Sequence, residues 1–120
     1  MRNKVNILGT DYKIEIHKIS EDKIMKDNKW QGYCEEDSHL IVVADMDETE
    51  YFQFADEKGK DESAKQTLRH EIIHAFLNES GLKSSSLQYQ SAWAKNEEMV
   101  DWLATQFPKI AKVFAYLGIL

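Results

Sequence analysis

Residues 67–74 read Thr-Leu-Arg-His-Glu-Ile-Ile-His, which sets His70 and His74 four positions apart with Glu71 directly after the first histidine. Side chains at that spacing come within reach of each other only on a helix, where they sit one turn apart on the same face. The flanking residues predict such a helix from about Glu62. Ser63 and Gln66 have the spacing of a capping box, and Gly81 stands ready to end the helix just beyond Ser80. Leu68, Ile72, Ala75 and Phe76 supply an apolar face beside the two histidines. His70 and His74 therefore lie where a core-facing helix would carry apolar residues, and that placement requires a reason.

The chain before this helix has a different period. Val5, Ile7, Tyr12, Ile14 and Ile16 alternate with polar residues on either side of Gly9-Thr10-Asp11, which predicts two strands joined by a tight turn. Residues 18–30 are charged and weakly patterned, and read as loop or one short helix. The β-branched run His39 to Ala44 predicts a buried strand, and Glu50 to Phe54 predicts another. A charged linker with Gly59, from Ala55 to Asp61, then separates a strand-rich front half from a helix-rich back half. After a serine-rich loop at Ser84-Ser85-Ser86, a second helix is expected from about Ser91 to Phe107. Pro108 divides it from a last apolar helix, where Ile110, Val113, Phe114 and Leu117 form a packing face.

At 120 residues the chain is the size of one domain, residues 1–120, with a single core. A hydrophobic content of 42% with three Trp, five Tyr and five Phe is that of a folded globular protein. The formal charge of -6 leaves no basic stripe to displace counterions, so nucleic acid and anionic membranes are not expected partners. The acidic runs at Glu35-Glu36-Asp37 and Asp45-Met46-Asp47-Glu48 lack calcium-loop spacing. Cys34 is the only cysteine, so no intrachain disulfide can form. No signal-like or membrane-spanning apolar stretch is present, and the expectation is a soluble protein in the cytoplasm.

Two imidazoles on one helix face can direct nitrogens at one metal ion, and a glutamate one position on can reach a water beside it. A catalytic zinc site takes three protein ligands and keeps one position open. The segment Asn96-Glu97-Glu98-Met99-Val100-Asp101 offers the third. Glu97 and Asp101 share a face at i and i+4, so Glu97 can reach the metal while Asp101 orients a ligand histidine by accepting its second ring N–H. Glu98 is the alternative ligand, but its own i+4 neighbour is Trp102.

An HExxH helix followed by a helix bearing ExxxD resembles the gluzincin signature. Here it reads His70-Glu71-Ile72-Ile73-His74 and then Glu97-Glu98-Met99-Val100-Asp101. The chain's size, the strands ahead of the motif and the short gap make it similar to the minimal, ImmA/IrrE-like gluzincins of phages and mobile elements, over residues 39–107. The resemblance implies a zincin-like α+β fold, a small mixed sheet packed against the HExxH helix and a second, glutamate-bearing helix, with Zn2+ between the helices. It implies a metallopeptidase that hydrolyses a protein or peptide substrate, with Glu71 as general base. An edge strand would pair with the extended substrate, supplied by His39 to Ala44 or Tyr51 to Phe54. The chain departs from the ImmA/IrrE-like pattern in carrying Met99-Val100-Asp101 where small residues and asparagine are usual. No histidine follows His74 to stabilise a transition state, and Tyr89 is the nearest candidate for that role.

The other polar and aromatic residues have plainer readings. His17 and His39 are expected to be surface or hydrogen-bonded histidines, Cys34 a small buried hydrophobe, and Trp93 and Trp102 core residues. The contrasting function is a catalytically idle zinc-binding module for regulation or protein interaction, which would have no use for Glu71 and would more often close its zinc with four protein ligands. Neither reading fixes an oligomeric state.

Overall fold

The computed structural model describes residues 2–83, 96–117 and 119–120. It is a small mixed α+β fold, with a four-stranded mixed sheet and two long helices. Strands β1 (Lys4–Ile7) and β2 (Thr10–His17) form the expected hairpin. Its two-residue turn is Leu8-Gly9, both at positive φ (51° and 97°), so the turn lies one to two residues earlier than the sequence indicates. Positive φ at both central positions matches the right-handed twist of the flanking strands.

A single 3₁₀ turn at Ile19–Glu21 and helix α1 (Lys23–Asn28) fill the weakly patterned segment. Asp22 organises this region. Its Oδ1 caps α1 by accepting from the Met25 N–H at 3.1 Å, while its Oδ2 is 2.7 Å from His17 Nδ1 and accepts from the Tyr33 hydroxyl at 2.8 Å. His17 is thus a hydrogen-bonded histidine, and His39 packs its ring against Tyr12 at 5.2 Å.

Strand β3 (Gly32–Glu35) follows, then β4 (Leu40–Ala44). The sheet order is β1-β2-β4-β3, with β2 and β4 parallel and the other pairs antiparallel. β4 is therefore interior, and both of its faces are covered. Ile41 and Val43 join Ile7, Tyr12, Ile14 and Ala75, whereas Val42 and Ala44 join Ile19, Met25, Met46 and Phe52. Burial on both faces is why this strand reads as a continuous apolar run. It also removes His39 to Ala44 as a docking edge.

The expected strand at Glu50 to Phe54 is absent. The Tyr51 and Phe52 N–H groups both donate to the Glu48 carbonyl, closing a turn, and Phe52 plugs the second core cluster. The edge beside β4 is β3 instead, a strand the sequence reading did not assign.

Helix α2 (Glu57–Glu79) starts earlier than expected, because Asp56 caps it by accepting from the Gly59 N–H at 2.8 Å. Residues 57–61 of the expected linker form its start, and Ser63 lies inside the helix, where its carbonyl accepts from the Thr67 hydroxyl. Gly81 ends the helix at φ 86°, as the sequence predicts. Leu68, Ile72 and Ala75 pack on the sheet, whereas Phe76 faces outward. At its far end the helix is tied to β2 through Tyr12, whose hydroxyl donates to Glu79 Oε2 and accepts from Asn78 Nδ2.

Helix α3 (Glu97–Leu117) is capped by Asn96, whose Oδ1 accepts from the Met99 N–H. It packs on α2 through Val100 and Met99 against Leu77 and Ile73. Pro108 lies within it rather than dividing it. Proline has a helical φ, but inside a helix it forfeits the hydrogen bond its N–H would have donated and crowds the carbonyl four residues back, a cost that the helix bears here. Trp102 is exposed rather than core, and Val113, Phe114 and Leu117 are exposed as well. The loop Ser84 to Ser86, the helix start at Ser91, Trp93 and Tyr89 lie outside the described residues. Among the described residues no helix is long and apolar enough to cross a membrane.

The His17–Asp22 contact makes stability depend on pH. Burial alone would lower the His17 pKa, but the Asp22 and Glu15 carboxylates outweigh it and raise the value. Burial likewise opposes ionisation of Asp22, yet its bonds from His17, Met25 and Tyr33 hold it below the usual carboxylate range. A raised histidine pKa contributes stability that is fully present below the unfolded value of 6.5 and disappears as pH rises through the folded value. His17→Gln should therefore lower the urea midpoint more at about pH 5.5 than at about pH 9, measured against the parent at each pH.

Candidate metal centre

The two histidines project from the middle of α2 and Glu97 from the first turn of α3, so the centre exists only where these helices meet. His70 Nε2 lies 3.2 Å from His74 Nε2 and 3.0 Å from Glu97 Oε2, and His74 Nε2 lies 3.0 Å from Glu97 Oε1. The rings meet edge to face, with centroids 4.9 Å apart. Asp101, one turn beyond Glu97, places Oδ1 3.4 Å from His70 Nδ1, on the side of the ring away from Glu97 and His74. Glu98 is neither in contact with the histidines nor part of the cleft they line.

The proton bookkeeping of this cluster is informative. If His70 directs its Nδ1–H toward Asp101, its Nε2 presents a lone pair to a carboxylate oxygen 3.0 Å away. If instead both rings protonate Nε2 to donate to Glu97, two N–H groups stand 3.2 Å apart. Either arrangement leaves like groups facing each other, and one cation at the centre satisfies all three donors. Ligands at about 2.0–2.1 Å in a tetrahedral zinc site are about 3.3 Å from one another, close to the observed edges. The residues present thus fit a divalent metal held by two imidazoles and a carboxylate.

Glu71 has a different environment. Its carboxylate lies within 4.8 Å of the imidazole donors, and the residue is 7% exposed. Burial first, then the neighbouring Glu97 and Glu36 carboxylates, push its pKa up to about 8. A cation among the histidines would draw that value down and favour the carboxylate. Burial also lowers the His74 pKa, which keeps that ring neutral and its lone pair available.

Gly32, at the start of β3, lets the strand lie close to both β4 and α2 beside Glu71. A Cβ at this position would lie 2.7 Å from the Val42 carbonyl oxygen, 2.8 Å from Thr67 Cγ2 and 3.5 Å from Glu71 Oε2. Only hydrogen fits between the strand and α2. Gly32 was not singled out from sequence, although a lone glycine ahead of an aromatic residue in a short strand is a known mark of close approach.

The histidines, Glu71, Glu97 and Asp101 open into a cleft of about 640 Å³ whose opposite wall is β3. An ion pair between Lys83 and Glu36 stands across one part of it, and Trp30 lines another. Cys34 also lines the cleft, and burial, followed by Glu36 and Glu71, raises its thiol to about 12, so with no cation bound to it the thiol stays protonated. Tyr89 lies outside the described residues. No family model, curated protein or solved structure matches this chain.

Gly32→Ala should destabilise the protein by about 1–3 kcal/mol, the usual range for overpacking. Chemical denaturation measures this directly. Ala at exposed Gly9, where nothing lies within 4 Å of the added carbon, serves to separate steric conflict from a backbone effect.

Proposed function

We propose that this chain is a zinc-dependent peptidase of the gluzincin type, similar to the minimal ImmA/IrrE-like metallopeptidases, in which His70, His74 and Glu97 hold the metal. The observation that carries the reading is the convergence of two imidazole nitrogens and the Glu97 carboxylate at 3.0–3.3 Å, flanked by a buried carboxylate and facing a strand whose outer edge has no strand neighbour among the described residues. A structural zinc has no need of a buried base, and a closed site would present a fourth protein donor. Glu71 fits the first of these features of a catalytic centre, and the cleft beside it leaves room for a substrate.

Bound zinc would supply a lowered water pKa and a polarised substrate carbonyl. The chain's own groups do the rest. The outer edge of β3 has no strand neighbour among the described residues, so its backbone can pair with an extended peptide and lay it along the cleft. Glu71 accepts a proton from the attacking water as its oxygen bonds to the carbonyl carbon. It then returns that proton to the amide nitrogen as the C–N bond breaks, leaving a carboxylate and an amine. Asp101 holds the His70 ring in the tautomer that keeps Nε2 free. The low-dielectric setting that raises the Glu71 pKa strengthens each of these interactions.

Glu71→Gln keeps the shape of the side chain and removes the base. It should retain zinc while cleavage of a fluorogenic peptide library falls by about 10²–10⁴-fold. Cleavage equal to the parent, with zinc retained, would remove Glu71 from the reaction, whereas a zinc-loaded parent that cleaves nothing in the library would leave the idle zinc-binding module as the better reading.

A further inference from the structure

The cleft does not end at β3. The connection from α1 to β3 forms a ridge, Lys29-Trp30-Gln31, that lines the cleft on one side and a second cavity of about 220 Å³ on the other. We infer that this second cavity is a subsite for one bulky apolar side chain of the bound peptide, close to two residues from the bond that is cut. The inference rests on the peptidase reading above and adds a substrate preference to it.

The floor of the cavity belongs to the core, with Ile19, Met25 and Phe52 all at most 9% exposed. Its walls do not. Trp30 is 49% and Tyr51 37% exposed, two aromatic rings left half-open to solvent around an apolar floor. Among the described residues no carboxylate lines this cavity, whereas the cleft beyond the ridge carries Glu36, Glu71, Glu97 and Asp101. The charged residues lining it among those described are Lys26 and Lys29, whose like charge disfavours a basic side chain. Pockets for whole small ligands run to about 300–1,000 Å³. A cavity below that range suits a single large side chain such as Phe, Leu or Met.

Register gives the position. Gly32 is the residue of β3 that abuts Glu71, and Trp30 precedes it by two residues. A strand advances about 3.3 Å per residue and repeats its facing every second residue. A peptide lying along β3 with its scissile bond at Glu71 therefore brings a side chain about two residues away to the Trp30 ridge, and the one that enters the cavity is the one that faces away from α2, toward the cluster of Ile19, Met25 and Phe52. The ridge is held in place beforehand. Lys29 takes the left-handed conformation (φ 59°) that ends α1, and the Trp30 N–H donates to the Met25 carbonyl at 3.0 Å. An ordered wall loses little freedom when a side chain docks against it.

The test separates binding from hydrolysis. Zinc-loaded protein carrying Glu71→Gln is titrated with two unstructured decapeptides that differ only in a central Phe or Lys, and the Ile19 and Met25 methyl signals are followed by NMR. The Phe peptide should shift both methyls and bind at least about tenfold more tightly than the Lys peptide, the lower end of what an apolar pocket discriminates. Trp30→Ala or Tyr51→Ala in the same background should bring the two affinities within about threefold. Both wall residues are partly exposed, so either variant tests the wall without emptying the core. Equal affinities for the two peptides, no binding of either, or shifts confined to cleft residues would overturn the subsite. In the parent, cleavage of both peptides at equal rates contradicts the subsite but not the peptidase. Tight Phe-dependent binding without any cleavage supports the subsite and contradicts the peptidase.

Discussion

The close approach of α2 to β3 at Gly32 governs the geometry of the molecule. A hydrogen in place of a side chain lets β3 lie against the Thr67 methyl of α2 and the Val42 carbonyl of β4, beside the buried Glu71. The same contact fixes the helix rotation, with Leu68, Ile72 and Ala75 on the core and the two histidines beside them in the open cleft. Tyr12 fastens the far end of the helix to β2, so its position is set at two separated points. The second long helix has only to dock through Val100 and Met99 for Glu97 to come within 3.0 Å of both imidazoles.

Electrostatics then divide the surface around the cleft. Glu71, Glu97, Asp101 and Glu36 gather in a chain that is already acidic, and the Lys83–Glu36 pair offsets only part of this charge. Such crowding is visible in the raised Glu71 pKa, where burial acts first and the neighbouring carboxylates add to it. A divalent cation among these groups would relieve the repulsion and return Glu71 toward its ionised form. In the proposed enzyme, metal binding and activation of the base are thus coupled through the field they share.

Much of this was legible in the sequence, and the reason is periodicity. The i, i+4 spacing of His70 with His74 and of Glu97 with Asp101 encodes two helix faces, and the structure brings those faces together. The β2 alternation and the apolar run of β4 encode a half-covered and a fully covered strand. Features that depend on tertiary contact were not legible. β3 has four residues of mixed burial and no alternation, and owes its strand identity to pairing with β4. The start of α2 moved to Asp56 because that cap competes with Ser63, and Pro108 marked a break that α3 passes through. Trp30, Glu36 and Lys83 carry no motif, and only the folded chain shows that they border the cleft.

The central claim is that His70, His74 and Glu97 form a three-ligand zinc site with one position left open. Zinc-edge X-ray absorption on protein purified with zinc, at one metal per chain, tests it most directly. A three-ligand site gives two imidazole nitrogens and one carboxylate oxygen at about 2.0–2.2 Å, with a non-protein oxygen as the fourth neighbour. Sub-stoichiometric zinc, a sulfur neighbour from Cys34, or a shell closed by four protein donors would contradict it.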